Sequence, residues 1–417
     1  MVFFILLSGC RYRPLDDQKP LKIVVANDLH YAHQSMIFNH ERTRELTFKA
    51  DGKQINYIGE ITDAFIEDMK QLKPDVIILN GDLVFNGERD NHQYLSKKLK
   101  ALDSLVLVNT GNHDINSPSA IKMLAQRSHK VASVSDEEYQ RIYRDFGFKQ
   151  AISQDVNSLS YKVEVSESLH IIMLDSRCDN SCENIHGGQI KAETMDWLDQ
   201  QLEASKEMGA EVLLASHHNV LVHYPRLNEG FTINNHQQLI DLLNEYDVKL
   251  ALSGHIHVQH IAQDDGLTDI ATGSLAVYQN QFGIIDYIPK DSFEYRTQVV
   301  DVSGYAEKMK FDNLELLNFE KTSLETITEV NYRKTAFRLY DEMMVIHEQD
   351  ILNIASYDAK MKAYYFSGQL ADSVDEFLSD DEFNRLNEDY SFETYNMRSA
   401  IKNFGDRDHR KIKINLK

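Results

Sequence analysis

The 417-residue sequence is short of basic residues, cysteine, proline and tryptophan, and the shortages exclude whole classes of protein. Lys and Arg number 44 against 65 Asp and Glu, a formal net charge of −21. A nucleic-acid polymer is therefore not expected as partner, because binding its backbone draws on a Lys/Arg surplus. Three cysteines cannot build a disulfide framework. No stretch reaches the roughly 20 apolar residues that a membrane-spanning helix needs. Neither Gly-x-Ser-x-Gly nor Gly-x-x-x-x-Gly-Lys-Ser/Thr occurs, which removes the serine-hydrolase and P-loop readings. What remains, 42% apolar and 26% charged, is the composition of an ordinary folded protein. Its length fits about two or three domains, or one large layered domain with an appendage.

Glycine and proline run out along the chain. Only Gly368 and Gly405 lie beyond residue 304, and the last proline is Pro289. A segment without turn-formers reads as helical, and Leu324, Ile327, Ala336, Phe337, Leu339, Met343 and Ile346 recur at helical spacing. A boundary is expected near residue 305, followed by three or four helices over 306–417. The aromatic trio Tyr364, Tyr365 and Phe366 reads as core or interface, and the basic end (Arg407, Arg410, Lys411, Lys413, Lys417) as a solvated tail.

Between residue 21 and about 300, short β-branched runs alternate with longer amphipathic stretches. Strands are expected at 21–27, 75–80, 105–109, 160–165, 169–174, 211–216, 248–253, 269–272 and 296–302. Helices are expected near 57–72, 90–102, 118–130, 136–146, 191–207 and 235–246.

Five short patterns each follow an expected strand: Asp28-x-His30, Gly81-Asp82, Gly111-Asn112-His113-Asp114, Ser216-His217-His218 and Gly254-His255-x-His257. In open α/β sheets ligands gather at the carboxyl ends of strands, so loops far apart in sequence can converge on one crevice. Here they would bring two carboxylates, one amide oxygen and four imidazoles. That set suits two borderline divalent or mixed-valence ions (Mn, Fe or Zn), and the lack of thiolates argues against a structural zinc site. A lone Asp-x-His arises by chance about once in a chain this long, whereas Gly-Asn-His-Asp is expected on the order of a few times in a thousand such chains.

In order and content these motifs resemble the calcineurin-like metallophosphoesterase superfamily over about residues 21–300, within an expected catalytic domain of 21–305, and within that superfamily the class III cyclic-nucleotide phosphodiesterase branch. The resemblance implies an α/β fold, a layered β-sandwich flanked by helices, with a C-terminal all-α module. It implies Asp28, His30 and His257 as ligands of a first metal, Asp82 as the bridging carboxylate, and Asn112, His217 and His255 as the second-metal set. His217 is preferred to His218 because the family's ligand opens a His-His-Pro run, although Asn219 stands here in the proline's place. His113 would act beside the scissile group, with Asp114 orienting it.

The chemistry can be argued from the residues as well. Alternation lets Asp28 and His30 point the same way if the chain there is extended, whereas His255 and His257, serving different metals at the same spacing, need a bend. Two cations about 3.5–4 Å apart generate a bridging hydroxide and clamp the oxygens of an in-line displacement. His113 could protonate the leaving oxygen, work worth about 10²–10⁴-fold. His33, His218 and His223 are weaker candidates for the same mouth, and Asn86-Gly87-Glu88 could shape the pocket. The segment 31–55, inserted after the first motif, is expected to bear on substrate choice.

Near the N-terminus, Leu7-Ser8-Gly9-Cys10 follows the apolar run from Val2 to Leu7 and resembles a bacterial lipoprotein lipobox, which implies residues 1–20 as signal and tether and membrane attachment through a lipidated Cys10. No Lys or Arg precedes the run, which is short, and a buried strand is the other reading. An extracytoplasmic location would favour a Cys178–Cys182 disulfide; a zinc site of Cys178, Cys182 and His186 is the competing reading. The expected function is metal-dependent hydrolysis of a small phosphodiester, a cyclic nucleotide being the first candidate. The alternatives are a phosphomonoesterase or nucleotidase, and a vestigial surface binding protein.

Overall fold

The computed structural model describes residues 13–16, 19–37, 45, 52–124, 127–178, 186–341 and 346–416. Cys10, Cys182 and much of the inserted segment 31–55 lie outside them.

The strands are β1 (Leu21–Ala26), β2 (Val76–Asn80), β3 (Leu105–Asn109), β4 (Ile121–Met123), β5 (Ser128–Lys130), β6 (Ser153–Gln154), β7 (Tyr161–Ser166), β8 (Leu169–Leu174), β9 (Glu211–Ser216), β10 (Leu250–Ser253), β11 (His260–Asp264), β12 (Leu267–Ala271), β13 (Gln281–Ile288), β14 (Ser292–Val299) and β15 (Lys411–Asn415). The helices of the first part are α1 (Ile58–Leu72), α2 (Arg89–Leu99), α3 (Asp136–Ile142), α4 (Ala192–Met208) and α5 (His236–Glu245). Those of the second are α6 (Val302–Met309), α7 (Leu314–Leu317), α8 (Phe319–Asp341), α9 (Glu348–Ser367), α10 (Val374–Leu378), α11 (Asp381–Asp389) and α12 (Tyr395–Phe404).

Two mixed sheets face each other, ordered β15-β14-β13-β1-β2-β3 and β11-β12-β10-β9-β8-β7-β6. Side-chain alternation explains the layering. On β9, Leu213 and Ala215 point into the central core with Ile23, Ile78 and Leu107. Their neighbours Val212 and Leu214 point the other way, onto Leu198 and Leu202 of α4 and Leu239 and Leu243 of α5. The first sheet is covered by α1, whose Ile58, Ile61, Phe65 and Met69 recur at helical spacing on its buried side. Helix α1 ends at Lys73, left-handed at φ 48°, just before Pro74.

Helices α6–α12 form the C-terminal region, more than the three or four expected. Polar caps break them where glycine and proline are scarce: Asn313 and Asp380 accept from the first backbone N–H groups of α7 and α11. Their core joins Leu370, Phe377, Phe383 and Phe404 to Tyr224, Ile256 and Val258 of the two-sheet body. Tyr365 lies within it, its ring centroid 4.3 Å from that of Phe404.

Three expectations are corrected. The helix expected at 118–130 is the β4–β5 hairpin, because Met123 N–H donates to the carbonyl of Met36 at 2.8 Å, a partner outside the local window. The strand expected at 296–302 stops at Val299, since Asp301 caps α6 through the Gly304 N–H. The basic end is not a solvated tail. Residues 411–415 add β15 antiparallel to β14, with Ile414 buried and Lys411 and Lys413 outward. That pairing covers the hydrogen-bonding edge that β14 would otherwise expose.

Candidate metal centre

All five motifs leave the carboxyl ends of parallel strands, β1, β2, β3, β9 and β10. Beneath them three asparagines tie the sheets together. Asn27 donates to the carbonyls of Ser253 and Thr272 at 2.6 and 3.1 Å, and Asn80 to those of Ser216 and Leu252 at 2.8 and 3.2 Å. Asn109 donates to Leu174 and Ala215, each at 3.1 Å. All three are buried. Sequence reasoning passed over them as strand residues, although each closes a β-branched run where a strand would ordinarily end in a turn.

The ligand loops then bend sharply. Asp28, His30, Asp82, His255 and His257 all have positive φ, 52°, 44°, 50°, 66° and 57°. For residues other than glycine this costs on the order of 1–3 kcal/mol each and is kept where the surroundings over-determine it. The bend expected between His255 and His257 is there, but Asp28 and His30 are not extended, so backbone folding and not strand alternation aims them. Close approach also needs the motif glycines. A Cβ on Gly111 would overlap Asp82 Oδ1, one on Gly81 would lie 2.6 Å from His217 Nδ1, and one on Gly254 2.9 Å from Asp28 Oδ2.

The side chains converge as two sets that share Asp82. Ligand atoms of Asp28, His30, Asp82 and His257 all lie within 4.8 Å of one another, as do those of Asp82, His217 and His255. In the first set His30 Nε2 is 3.6 Å from Asp82 Oδ2 and 3.3 Å from His257 Nε2, which is 3.4 Å from Asp28 Oδ1. In the second His217 Nε2 is 3.5 Å from Asp82 Oδ2 and 3.2 Å from Asn112 Oδ1. His217 Nδ1 faces the Asn80 carbonyl at 3.1 Å, which fixes its proton there and leaves Nε2 for a metal. His255 is set the other way, Nε2 against the Gly230 carbonyl at 2.9 Å, leaving Nδ1.

Two observations show that the donors fit cations. Asp28 Oδ1 and His30 Nδ1 are buried without a hydrogen-bond partner, a costly state that a cation at Asp28 would relieve. The charges are also displaced far from their ordinary range. Burial alone would raise the Asp82 pKa, but His217, His113 and His30 hold it well below that of a usual carboxylate. Burial opposes a proton on His217, yet Asp82 and Asp28 prevail and bring its pKa up to about 9. Oxygen and imidazole donors without thiolate suit a divalent transition ion.

His113 stands at the edge of the cluster, its ring centroid 5.0 Å from that of His30. Burial lowers its pKa to about 4, with Lys53 adding to the effect against Asp82. Lys53, itself buried, comes from the inserted segment whose role the sequence left open, and after burial it is also the largest influence lowering His30. Asp114 does not orient His113. Its Oδ1 accepts from Leu83 and Val84 N–H at 2.8 and 3.1 Å and its Oδ2 from Gly111 N–H at 2.8 Å, so it locks the two metal loops together. Asn86 takes the orienting place, its Oδ1 3.1 Å from His113 Nδ1.

The other histidines separate. His218 commits Nδ1 to Ser176 Oγ and Nε2 to the His186 carbonyl, so it backs the site without ligating. His186 reaches Asn112, its Nδ1 3.3 Å from Asn112 Nδ2. Cys178 is disulfide-bonded, while Cys182, its expected partner, lies outside the described residues. His33 stacks on Tyr94 at 3.7 Å. His223 is buried away from the mouth against His260 and Asp269.

The C-terminal region reaches the site indirectly. Two residues past His257, Gln259 N–H donates to the Phe366 carbonyl at 3.0 Å and its side chain to the His409 carbonyl at 2.7 Å. The tail thus braces the loop that carries His255 and His257.

Comparison with known proteins follows the same division. A calcineurin-like phosphoesterase family model matches residues 21–259, and one for the C-terminal domain of cyclic nucleotide phosphodiesterase matches residues 301–408. A probable cyclic nucleotide phosphodiesterase of Moraxella catarrhalis is 25% identical over 198 residues, 47% of this chain and 63% of that protein. A probable glycerophosphodiester phosphodiesterase of Arcobacter nitrofigilis is 28% identical over 187 residues, 44% of this chain and 57% of that one. The chain thus spans less than two thirds of the length of these curated relatives. Among solved structures, a dimetal phosphatase from Danio rerio aligns with a TM-score of 0.50 at 15% identity, covering 68% of this chain and 97% of that one, a likeness of fold.

Proposed function

The chain belongs to the calcineurin-like phosphoesterases, and on that footing we propose that it is a metal-dependent phosphodiesterase that hydrolyses a small phosphodiester at a dinuclear centre. The observation that carries this is the pair of ligand sets meeting at Asp82. Asp28, His30, Asp82 and His257 would hold one ion, and Asp82, Asn112, His217 and His255 the other, with manganese, iron and zinc all suited to these donors. Two cations bound there would supply an activated water and the positive charge that an in-line displacement at phosphorus needs.

The chain's own groups do the rest. Asp82 places negative charge between the two ligand sets and so keeps them close. His113 donates a hydrogen bond from Nδ1–H to Asn86 Oδ1 and presents Nε2 to the leaving oxygen. Nε2 must gain a proton before it can donate one, and the charge of a bound phosphodiester favours that gain against the burial that holds the free imidazole neutral. The Asn27, Asn80 and Asn109 ties keep the loops in register while substrate enters.

Relatives named for cyclic nucleotides and for glycerophosphodiesters support a diester over a monoester. Hydrolysis of an aryl phosphodiester and its monoester by the manganese-loaded chain tests this. Diester preference is expected; monoester preference would move the reading to a phosphatase or nucleotidase. Fewer than two bound equivalents of metal, with no turnover of either, would favour a vestigial binding protein. We also propose that the protein lies outside the cytoplasm, tethered through Cys10. The disulfide at Cys178 supports that compartment, and metabolic labelling with a palmitate analogue, lost in Cys10→Ala, tests it.

A further inference from the structure

A cavity of about 1040 Å³ opens beside the metal centre. Among the described residues of that centre, Asn86, Asn112, His113 and His186 line it; the aspartates and histidines of the two ligand sets do not. It therefore meets the reacting phosphorus from the side of His113, where the leaving oxygen must lie if His113 is to protonate it. Among the described residues, none of the C-terminal region lines it.

Its chemistry is distinctive. Amide side chains recur around it, among them Asn116, Gln140, Gln154, Asn157 and Gln189, and four carboxylates (Asp136, Glu137, Asp155, Asp175) face two cations, Arg177 and Lys191. Both cations are engaged. Arg177 donates through Nε and Nη2 to Asp175 at 3.0 and 2.7 Å and through Nη2 to Asp136 at 2.7 Å, two carboxylates on one guanidinium. Lys191 Nζ donates to the Asn157 carbonyl at 2.8 Å. The wall therefore offers many neutral donors and acceptors and a surplus of negative charge. An alcohol rich in hydroxyl or amide groups can satisfy such a wall, while a second anionic group would meet four carboxylates against two cations, of which Arg177 is already held by Asp175 and Asp136.

We propose that this cavity is the subsite for the leaving alcohol, and that its Asp136, Arg177 and Asp175 cluster selects uncharged, hydrogen-bonding alcohols and rejects anionic ones. The inference rests on the phosphodiesterase reading and adds to it the class of alcohol released.

The test uses the full, manganese-loaded chain and two diesters, methyl 4-nitrophenyl phosphate and methyl 3-carboxy-4-nitrophenyl phosphate. Their leaving phenols differ by one carboxylate. The wild type is expected to favour the neutral ester by about 10-fold or more in kcat/KM, the scale of one unscreened like-charge contact. Asp136→Asn removes a carboxylate and releases part of the guanidinium; Gln140→Lys adds a cation and leaves Arg177 as it is. Each should narrow the preference to about 3-fold or less. Equal turnover of the two esters by the wild type would overturn the proposal. So would a preference that both variants leave intact, since it would come from the net charge of the chain and not from this wall. Failure to turn over either ester with both metals bound would instead defeat the phosphodiesterase reading itself.

Discussion

Asn86 Oδ1 lies 3.1 Å from His113 Nδ1, so the orientation of the imidazole beside the metal centre is set from the loop after β2 and not by its sequence neighbour Asp114. An amide oxygen can only accept, which places the imidazole proton on Nδ1 and leaves Nε2 for the substrate. Asn86→Ala should lower kcat about 10–100-fold, the usual cost of losing an orienting partner, while both metals stay bound. Steady-state kinetics with metal analysis checks it; loss of metal together with kcat would instead assign Asn86 to the architecture of the site.

Metal loading should depend on pH through His217. Its metal-free pKa is up to about 9, because Asp82 and Asp28 outweigh burial, so Nε2 carries a proton at neutral pH that a metal must displace. The raised pKa makes the proton a competitor below about 9. Apparent metal affinity should therefore rise with pH between about 6 and 9 and then level off, with proton release on binding at pH 7. Calorimetry in buffers of different ionisation enthalpy measures the release. Binding without proton uptake by the buffer would contradict the assignment.

Much of the fold was legible because burial imprints a period on sequence. The runs that became β2, β3, β8 and β9 are short and apolar, and their order announced strands alternating with helices. Long-range partners left no such mark. The β4–β5 hairpin depends on Met36, and β15 pairs with β14 across more than a hundred residues, so local pattern read one as a helix and the other as a tail. The convergence of Asp28, His30, Asp82, His217, His255 and His257 on one place was readable because such donor types at fixed spacings are rare by chance. The left-handed backbone of Asp28, His30, Asp82, His255 and His257, the three asparagine ties and the exchange of Asp114 for Asn86 were not, since each is fixed by a contact between segments that spacing does not encode.

The C-terminal region is expected to stabilise the catalytic body. Phe404 is buried, its ring against Tyr365 and Tyr224 at 4.3 and 5.2 Å. Phe404→Ala should cost about 3–5 kcal/mol of stability, read by chemical denaturation, and deleting residues 306–417 should leave an aggregating product. A soluble, fully active truncation would contradict this role.

Asp82→Asn is the most direct test of the central claim, because Asp82 is the one residue shared by both ligand sets. Metal stoichiometry and aryl phosphodiester turnover would be measured side by side on the wild type and the variant. The account predicts two equivalents of metal and turnover in the wild type, with at least one equivalent lost and turnover down by at least about 10³-fold in Asp82→Asn. A variant that keeps both metals and hydrolyses the diester at the wild-type rate would contradict a dinuclear centre bridged by Asp82.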